Sequence, residues 1–485
     1  MAQPSIRRNY IYNTLYEILA ILSPLITAPY VSRIFGSDGV GIYSYTNAIA
    51  VYFTMIAALG IKSYGQREIA QHRDNKAETS RLFWELEIVC VTSTLVALLG
   101  WTVLILISKK YSVYYLVLTM TVLATAFDIS WFWGGQEQFK FIVIRNSIVK
   151  ILGIILLFTF VKKKSDLALY IGIIAGMNLL GNISMWSYLS KYLVKIDRKT
   201  LSFKRHYKQA FIYFVPTIAT SIYTVLDKAM IGWITADENQ NGYYEQATSI
   251  INMCKSMIFS VITVVSSRMS FLFSKEKHEE IRQKMTQTLS FVTMIAVPVT
   301  VGVIVVAKRF VPWFFGKGYD ETVNIIYIMA PLVIIIGISN CFGSLYFTPS
   351  GQRARSNKAI VTGAVVNLCL NLIMIKLWKA RGAASASLLA ESTITFMYLF
   401  MARDYYDLKN IPKLIWKRAV SAGIMAAFII FIGNMMSSMS NIVVLVTQII
   451  SGALIYLVSL IVLRDDFLME NIKRYTSKIF GRKEV

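Results

Sequence analysis

Apolar residues run along the chain in blocks of about 19 to 26 positions, separated by short polar connectors, and they do not alternate residue by residue. Blocks such as VALLGWTVLILI, ILGIILLFTFV, VPVTVGVIVVA and VVLVTQIISGALIYLVSLIVL lie in runs long enough to cross a hydrocarbon layer about 30 Å thick as helices. Spanning strands would be shorter and strictly alternating. About fourteen such segments are predicted, centred near Ala20, Val51, Val96, Leu123, Leu152, Ala175, Ala219, Asn252, Met294, Ile334, Val365, Ser392, Ala427 and Leu454. The expected fold is an all-α polytopic membrane protein whose even helix count returns both termini to one side.

A faint repeat organises these segments. GVGIYSYTNAIA at 39–50, after the first helix, answers NGYYEQATSII at 241–251, after the seventh; WGGQEQFKF at 133–141 answers PSGQRARSN at 349–357. The expected layout is a six-helix bundle over 1–195, a second over 196–405, and two further helices with a tail over 406–485. Parallel repeats of this kind place a substrate path between the halves and work by alternating access.

Polar positions inside the apolar blocks form stripes. Thr217, Thr220, Ser221, Thr224, Asp227 and Lys228 recur at helical spacing on the seventh segment, with the two charges on the stripe's edges. Glu245, Ser249, Asn252, Ser256, Ser260 and Thr263 do the same on the eighth, with Lys255 beside them; Asn13, Glu17, Pro24 and Thr27 line up on the first. Three striped helices predict a shared aqueous cavity. A charged residue facing lipid at mid-bilayer costs about 2.5–3.5 kcal/mol, so these charges face protein or water. One reading makes them interhelical pairs. The other makes Arg33, Lys150, Lys228 and Lys255 the cations of a cavity for an anionic ligand. Pro24, Pro29, Pro216, Pro298 and Pro331 permit bends that either serve rocking or only shape packing. Tyrosines at 10, 12, 16, 43, 45 and 52 suit either sugar stacking or an interfacial belt.

Composition agrees with a membrane protein: 55% of the 485 residues are hydrophobic and only 16% charged. The net charge of +23 does not point to nucleic acid, because about 35 of the 50 Lys and Arg fall in the tails and even-numbered loops. By the positive-inside rule those segments and both termini are cytoplasmic. The basic connector KYLVKIDRKTLSFKRHYK then faces the anionic inner leaflet. Four cysteines inside spans and three histidines in separate loops give no metal cluster, no cofactor and no catalytic residue. The loops are short, which leaves no soluble catalytic domain, and the N-terminal segment is expected to be the first helix rather than a cleaved leader.

Several stretches carry a family resemblance. NYIYNTLYEILAILSPLITAPYVSRIFGSDGVGIYSYTNAIAVYF, ALGIKSYGQREIA, FDISWFWGGQEQFKFIVIRN, SIYTVLDKAMIG and FVPWFFGKGY resemble the Wzx-type oligosaccharide flippases, polysaccharide biosynthesis proteins of the superfamily that also holds MATE drug exporters and lipid II flippases. The resemblance implies a MATE-like fold of two pseudo-symmetric bundles in a bacterial cytoplasmic membrane. It also implies translocation of undecaprenyl-pyrophosphate-linked repeat units to the outer leaflet, by a monomer working with a polymerase and chain-length machinery. Coupling to a proton or sodium gradient is implied as well, with Asp227, Glu17, Asp128 and Glu391 as available intramembrane acids; Asp128 is alternatively a cap for FDISWFW. Two other readings stand beside it: a MATE-like small-molecule exporter, which would favour a more acidic cavity, and a membrane-embedded polymerase or ligase, which would need a large outer loop.

Overall fold

The computed structural model describes residues 6–197, 199 and 201–479, and the side chains of all of these but 6–18, 21, 216, 219, 220, 222–224, 475 and 477–479. Every regular element among them is helical. In chain order the α-helices are α1 (Ile6–Ala58), α2 (Ile61–His72), α3 (Lys76–Ile107), α4 (Ser112–Ala124), α5 (Ser130–Gly135), α6 (Phe139–Phe160), α7 (Leu167–Ser184), α8 (Lys204–Thr224), α9 (Leu226–Thr235) and α10 (Glu238–Ser274). There follow α11 (His278–Phe315), α12 (Asp320–Met329), α13 (Leu332–Phe342), α14 (Arg353–Ala402), α15 (Asn410–Met435), α16 (Asn441–Val462) and α17 (Asp466–Ile479).

Eleven of the described helical stretches are long and apolar enough to cross a bilayer. Two of them each hold two spans. Within α1 the helix breaks at Gly36 (φ 68°), a backbone region that glycine enters without a Cβ penalty; within α14 it breaks at Lys379 (φ 51°). With α8 and α9 as a further span, the fourteen predicted segments are all accounted for. Along α3 the outward face carries Leu95, Leu99, Val103 and Leu106, all exposed, as a helix solvated by lipid requires.

The seventh segment departs from expectation. Its polar stripe was expected on one continuous helix, but α8 ends at Thr224 and Val225 (φ −125°, ψ −32°) leaves the helical region. Asp227 and Lys228 therefore sit in the first turn of a new helix, α9. The acidic side chain at that N-terminus complements the helix dipole, which favours a fresh start there over continuation.

The chain divides into two compact units, Met1–Gly242 and Tyr243–Val485. In the first, Val31, Phe35, Ala97, Trp101, Tyr115, Leu118 and Ile171 form one core and Phe83, Trp131, Phe132 and Trp133 anchor another. Two glycines of this unit mark a close backbone approach. A Cβ on Gly41 would lie 1.7 Å from the Glu238 carbonyl oxygen, and one on Gly242 would lie 1.9 Å from that of Ser37. The backbone at Ser37–Gly41 thus packs directly on that at Glu238–Gly242. The Ser37 hydroxyl donates to Asn239 Oδ1 at 2.6 Å across the same contact.

In the second unit, Arg418 is buried and bonds Asp465 (3.2 Å), the Ser290 carbonyl (2.6 Å) and the Thr293 hydroxyl. This ties α15 to α11 and to the α16–α17 turn. A smaller apolar core of Val297, Ala422, Met425, Ile429, Tyr456 and Leu460 packs beside it.

Candidate functional site

Helix α6 presents two faces. Ile144, Ile148, Ile151, Leu152 and Ile155 are exposed on one side, at the spacing of a lipid-facing stripe. On the other side Arg145, Asn146, Val149, Lys150, Gly153 and Ile154 line a cavity of about 340 Å³, closed by Ser23 and Thr27 of α1 and by Tyr170, Ile173, Met177 and Asn178 of α7. A second cavity of about 250 Å³ shares Arg145, Asn146 and Asn178 with the first and adds Lys62 and Gln66 of α2, Asp128, Ser130 and Asn182. Three residues belong to both walls, so the two cavities adjoin as one groove along α6 inside the first unit.

The short link between α4 and α5 is held by donors rather than by packing alone. Asn182 Nδ2 donates to the Ala124 carbonyl (2.7 Å) and Trp186 Nε1 to that of Phe127 (3.0 Å). Asp128 Oδ1 accepts from the Ser130 backbone N–H at 3.0 Å and so starts α5. One wall of the groove is thereby fixed to α7. Arg145 reaches Met185 Sδ through Nη2 (3.5 Å), which lays its guanidinium along the groove rather than out to lipid.

Three cations, Lys62, Arg145 and Lys150, share this lining with one carboxylate, Asp128, and with four side-chain amides. A guanidinium offers a planar fork of donors that matches phosphate oxygens, and an ammonium adds a point charge. Asn146, Asn178, Asn182 and Gln66 both donate and accept, as sugar hydroxyls require. The volume falls in the range of small-ligand sites, and Ile154, Leu157, Ile173 and Met177 give the upper cavity an apolar wall.

Residues 6–273, more than half of the chain, match the family described as "Polysaccharide biosynthesis protein". The chain belongs to that family. It is 24% identical over 407 residues to a putative O-antigen transporter of Escherichia coli K12, covering 82% of this chain and 97% of that protein. It is 25% identical over 295 residues, 60% of each chain, to the probable low-salt glycan biosynthesis flippase Agl15 of Haloferax volcanii. Among solved structures it superposes on the lipid II flippase MurJ in an inward closed conformation with a TM-score of 0.69 at 18% identity, covering 94% of this chain and 99% of that one. An inward-facing multidrug MATE transporter gives 0.58 at 13% identity over 81% of this chain and 95% of that one. The all-α fold expected from the segment count, MATE-like as the resemblance implied, is therefore the fold of this chain.

Of the residues singled out in the sequence, Lys150 and Asp128 line the groove. Arg33 is exposed on α1, outside the groove lining; Thr217 is exposed on α8, its hydroxyl turned back to the Tyr213 carbonyl at 3.2 Å. Asp227 is buried and interacts electrostatically with Tyr52, whose hydroxyl donates to the Ser221 carbonyl at 3.4 Å. Lys228 is half-buried beside it on α9. The side chains of Asn13, Glu17, Thr220 and Thr224 lie outside the described residues. In the second unit, Lys255 of α10 and Glu391 of α14 are electrostatic neighbours. Glu245 and Ser249 are half-buried on α10 and Asn252 is exposed.

Several groups in the first unit were not singled out. Arg145 and Lys62 were assigned to loops, because they stand near helix starts where positive charge is ordinary; the i, i+1, i+5 spacing of Arg145, Asn146 and Lys150 was the available signal. Glu85 and Glu87, in FWELEIVC, are two further acids that the sequence pattern did not single out. Glu85 is fully buried and accepts from the Ser202 N–H (2.7 Å) and Arg205 (2.9 Å), with His206 Nε2 at 2.7 Å. With that nitrogen protonated toward the carboxylate, His206 Nδ1 accepts from the Tyr64 hydroxyl at 2.7 Å.

Proposed function

We propose that this protein is a flippase that moves undecaprenyl-pyrophosphate-linked oligosaccharide units from the cytoplasmic to the outer leaflet of a bacterial plasma membrane for surface polysaccharide assembly. The observation that carries the reading is the groove of the first unit: Arg145, Lys150 and Lys62 lie along one wall system, turned away from lipid. Such a wall suits an anionic pyrophosphate, the amides suit sugar hydroxyls, and the polyprenyl tail stays in the bilayer. A transporter and a flippase of glycans among the relatives support the same reading.

In this mechanism both termini and the basic connector face the cytoplasm, and the bundles over 1–195 and 196–405 rock to give alternating access. An ion gradient drives the cycle through intramembrane acids such as Asp227, Asp128 and Glu391. The protein works as a monomer, delivering product to a polymerase and its chain-length machinery. A drug exporter shares the fold, but a cationic drug would meet like charge in this groove. Arg145→Ala with Lys150→Ala tests the assignment. In a strain lacking its own flippase, the double variant is expected to restore less than about a tenth of the surface polysaccharide at normal expression, since each charge-assisted contact is worth about 1.5–3 kcal/mol. Full restoration would remove the groove from the mechanism.

A further inference from the structure

Glu85 and Glu87 stand two positions apart on α3, so they point to opposite sides of the helix. Glu85 has a full set of donors. Glu87 is 4% exposed, and among the described residues neither of its carboxyl oxygens has a hydrogen-bond partner. It lies about one turn inside the outward apolar face that begins at Trp84. An ionised carboxylate in that position, with neither donor nor cation, would cost several kcal/mol. Carrying a proton would avoid that cost.

What faces Glu87 is also acidic. Its electrostatic neighbour is Asp128, from the link after α4, and Cys90 of its own helix interacts with both carboxyls. α4 brings no charged side chain to α3, and the charges of α8 sit in its first turns, with Arg205 and His206 on the Glu85 side. α1 beyond Gly36 carries only Asp38, which pairs with Lys164 at 2.7 Å. Of the charges on α2, Lys62 lines the groove and Arg67 donates to Tyr213; Glu68 interacts with Tyr64, and His72 lies 3.6 Å from Glu78. One member of the acidic pair is therefore dry, and the other stands on the groove wall.

We propose that Glu87 and Asp128 form a proton-binding site of the first unit, in which Glu87 stores a proton and Asp128 passes it to and from the groove. In release, the O–H bond of Glu87 breaks as one forms on Asp128, and Asp128 then gives the proton to water in the groove; loading is the reverse. An anion held by Arg145 and Lys150 brings negative charge toward the pair and favours its loaded form. The proton occupancy of the pair is then linked to the charge held in the groove. This last coupling rests on the flippase reading; the proton site does not.

The experiment uses dicyclohexylcarbodiimide, an apolar reagent that enters bilayers and adds to protonated carboxyls. Membranes holding the full-length protein are treated across a range from mildly acidic to alkaline buffer, and the adduct is mapped by mass spectrometry. The expected adduct is on Glu87, is absent in Glu87→Gln, and falls about tenfold per pH unit once the carboxyl titrates. Asp128→Asn removes the second negative charge and moves the decline to lower pH, a shift that a packing role for Glu87 would not produce. No adduct on Glu87, or one indifferent to pH, overturns the proposal. Arg145→Ala with Lys150→Ala separates the two claims: normal labelling with lost transport upholds both, and normal labelling with full transport removes the flippase assignment alone.

Discussion

Single residues show where chemistry and architecture part company. Arg418 is a buried cation with all three guanidinium nitrogens hydrogen-bonded, and it serves the fold of the second unit. Arg418→Ala would strand the Asp465 carboxylate, which is 3% exposed, and is expected to cost about 3–5 kcal/mol; replacing both partners by apolar residues of similar size should cost much less. Thermal unfolding of the purified protein in detergent reads both, and a single variant as stable as the parent would contradict the account. Lys150 was legible in the sequence because an isolated lysine in ILGIILLF-type surroundings has no bland explanation. Arg145 was not, because a charge six residues into α6 looks interfacial until the helix start is known to be Phe139. Glu87 was hidden for a related reason: only its neighbours reveal that Glu85 is satisfied and Glu87 is not.

At the scale of elements, hydropathy located every span but not the breaks within them. The join at Gly36 was foreseeable from glycine; the one at Lys379 was not, since a lysine with positive φ has no sequence signal. The seventh segment shows the limit of periodicity, because a stripe at three and four spacing reads the same whether one helix carries it or two meet at Val225. The glycines at 41 and 242 were legible as letters, yet what requires them is a close backbone approach. Gly41→Ala, or Gly242→Ala, must push α1 and α10 apart and is expected to cost about 3 kcal/mol or more, at the upper end of overpacking. Gly423→Ala on α15, which meets nothing within 4 Å, is the matched control and should leave stability unchanged. Fluorescence-detected size-exclusion chromatography after heating compares the three; equal midpoints would refute the importance of that close approach.

For the whole molecule, fold class, span count and family followed from hydropathy, repeat and motif together, and the family match and superpositions agree with them. The candidate site was only partly legible. Polar spacing in the sequence points to cations of one cavity lined from both halves; the groove described in the first unit draws on α1, α2, α6, α7 and the α4–α5 link and includes two cations, Arg145 and Lys62, that the spacing did not pick out. The reason is physical: hydropathy says how deep a residue lies but not which neighbour it faces. The central claim, that this groove carries an anionic lipid-linked glycan across the bilayer, is tested most directly in proteoliposomes. Purified protein is reconstituted with a polyprenyl-pyrophosphate-linked oligosaccharide, and its arrival in the far leaflet is followed by exposure to an impermeant glycan-cleaving enzyme. The account predicts protein-dependent translocation that falls at least about tenfold in Arg145→Ala with Lys150→Ala, a change of about 1.4 kcal/mol or more in barrier. Equal rates for the parent and the double variant, or no translocation by the parent, would contradict it.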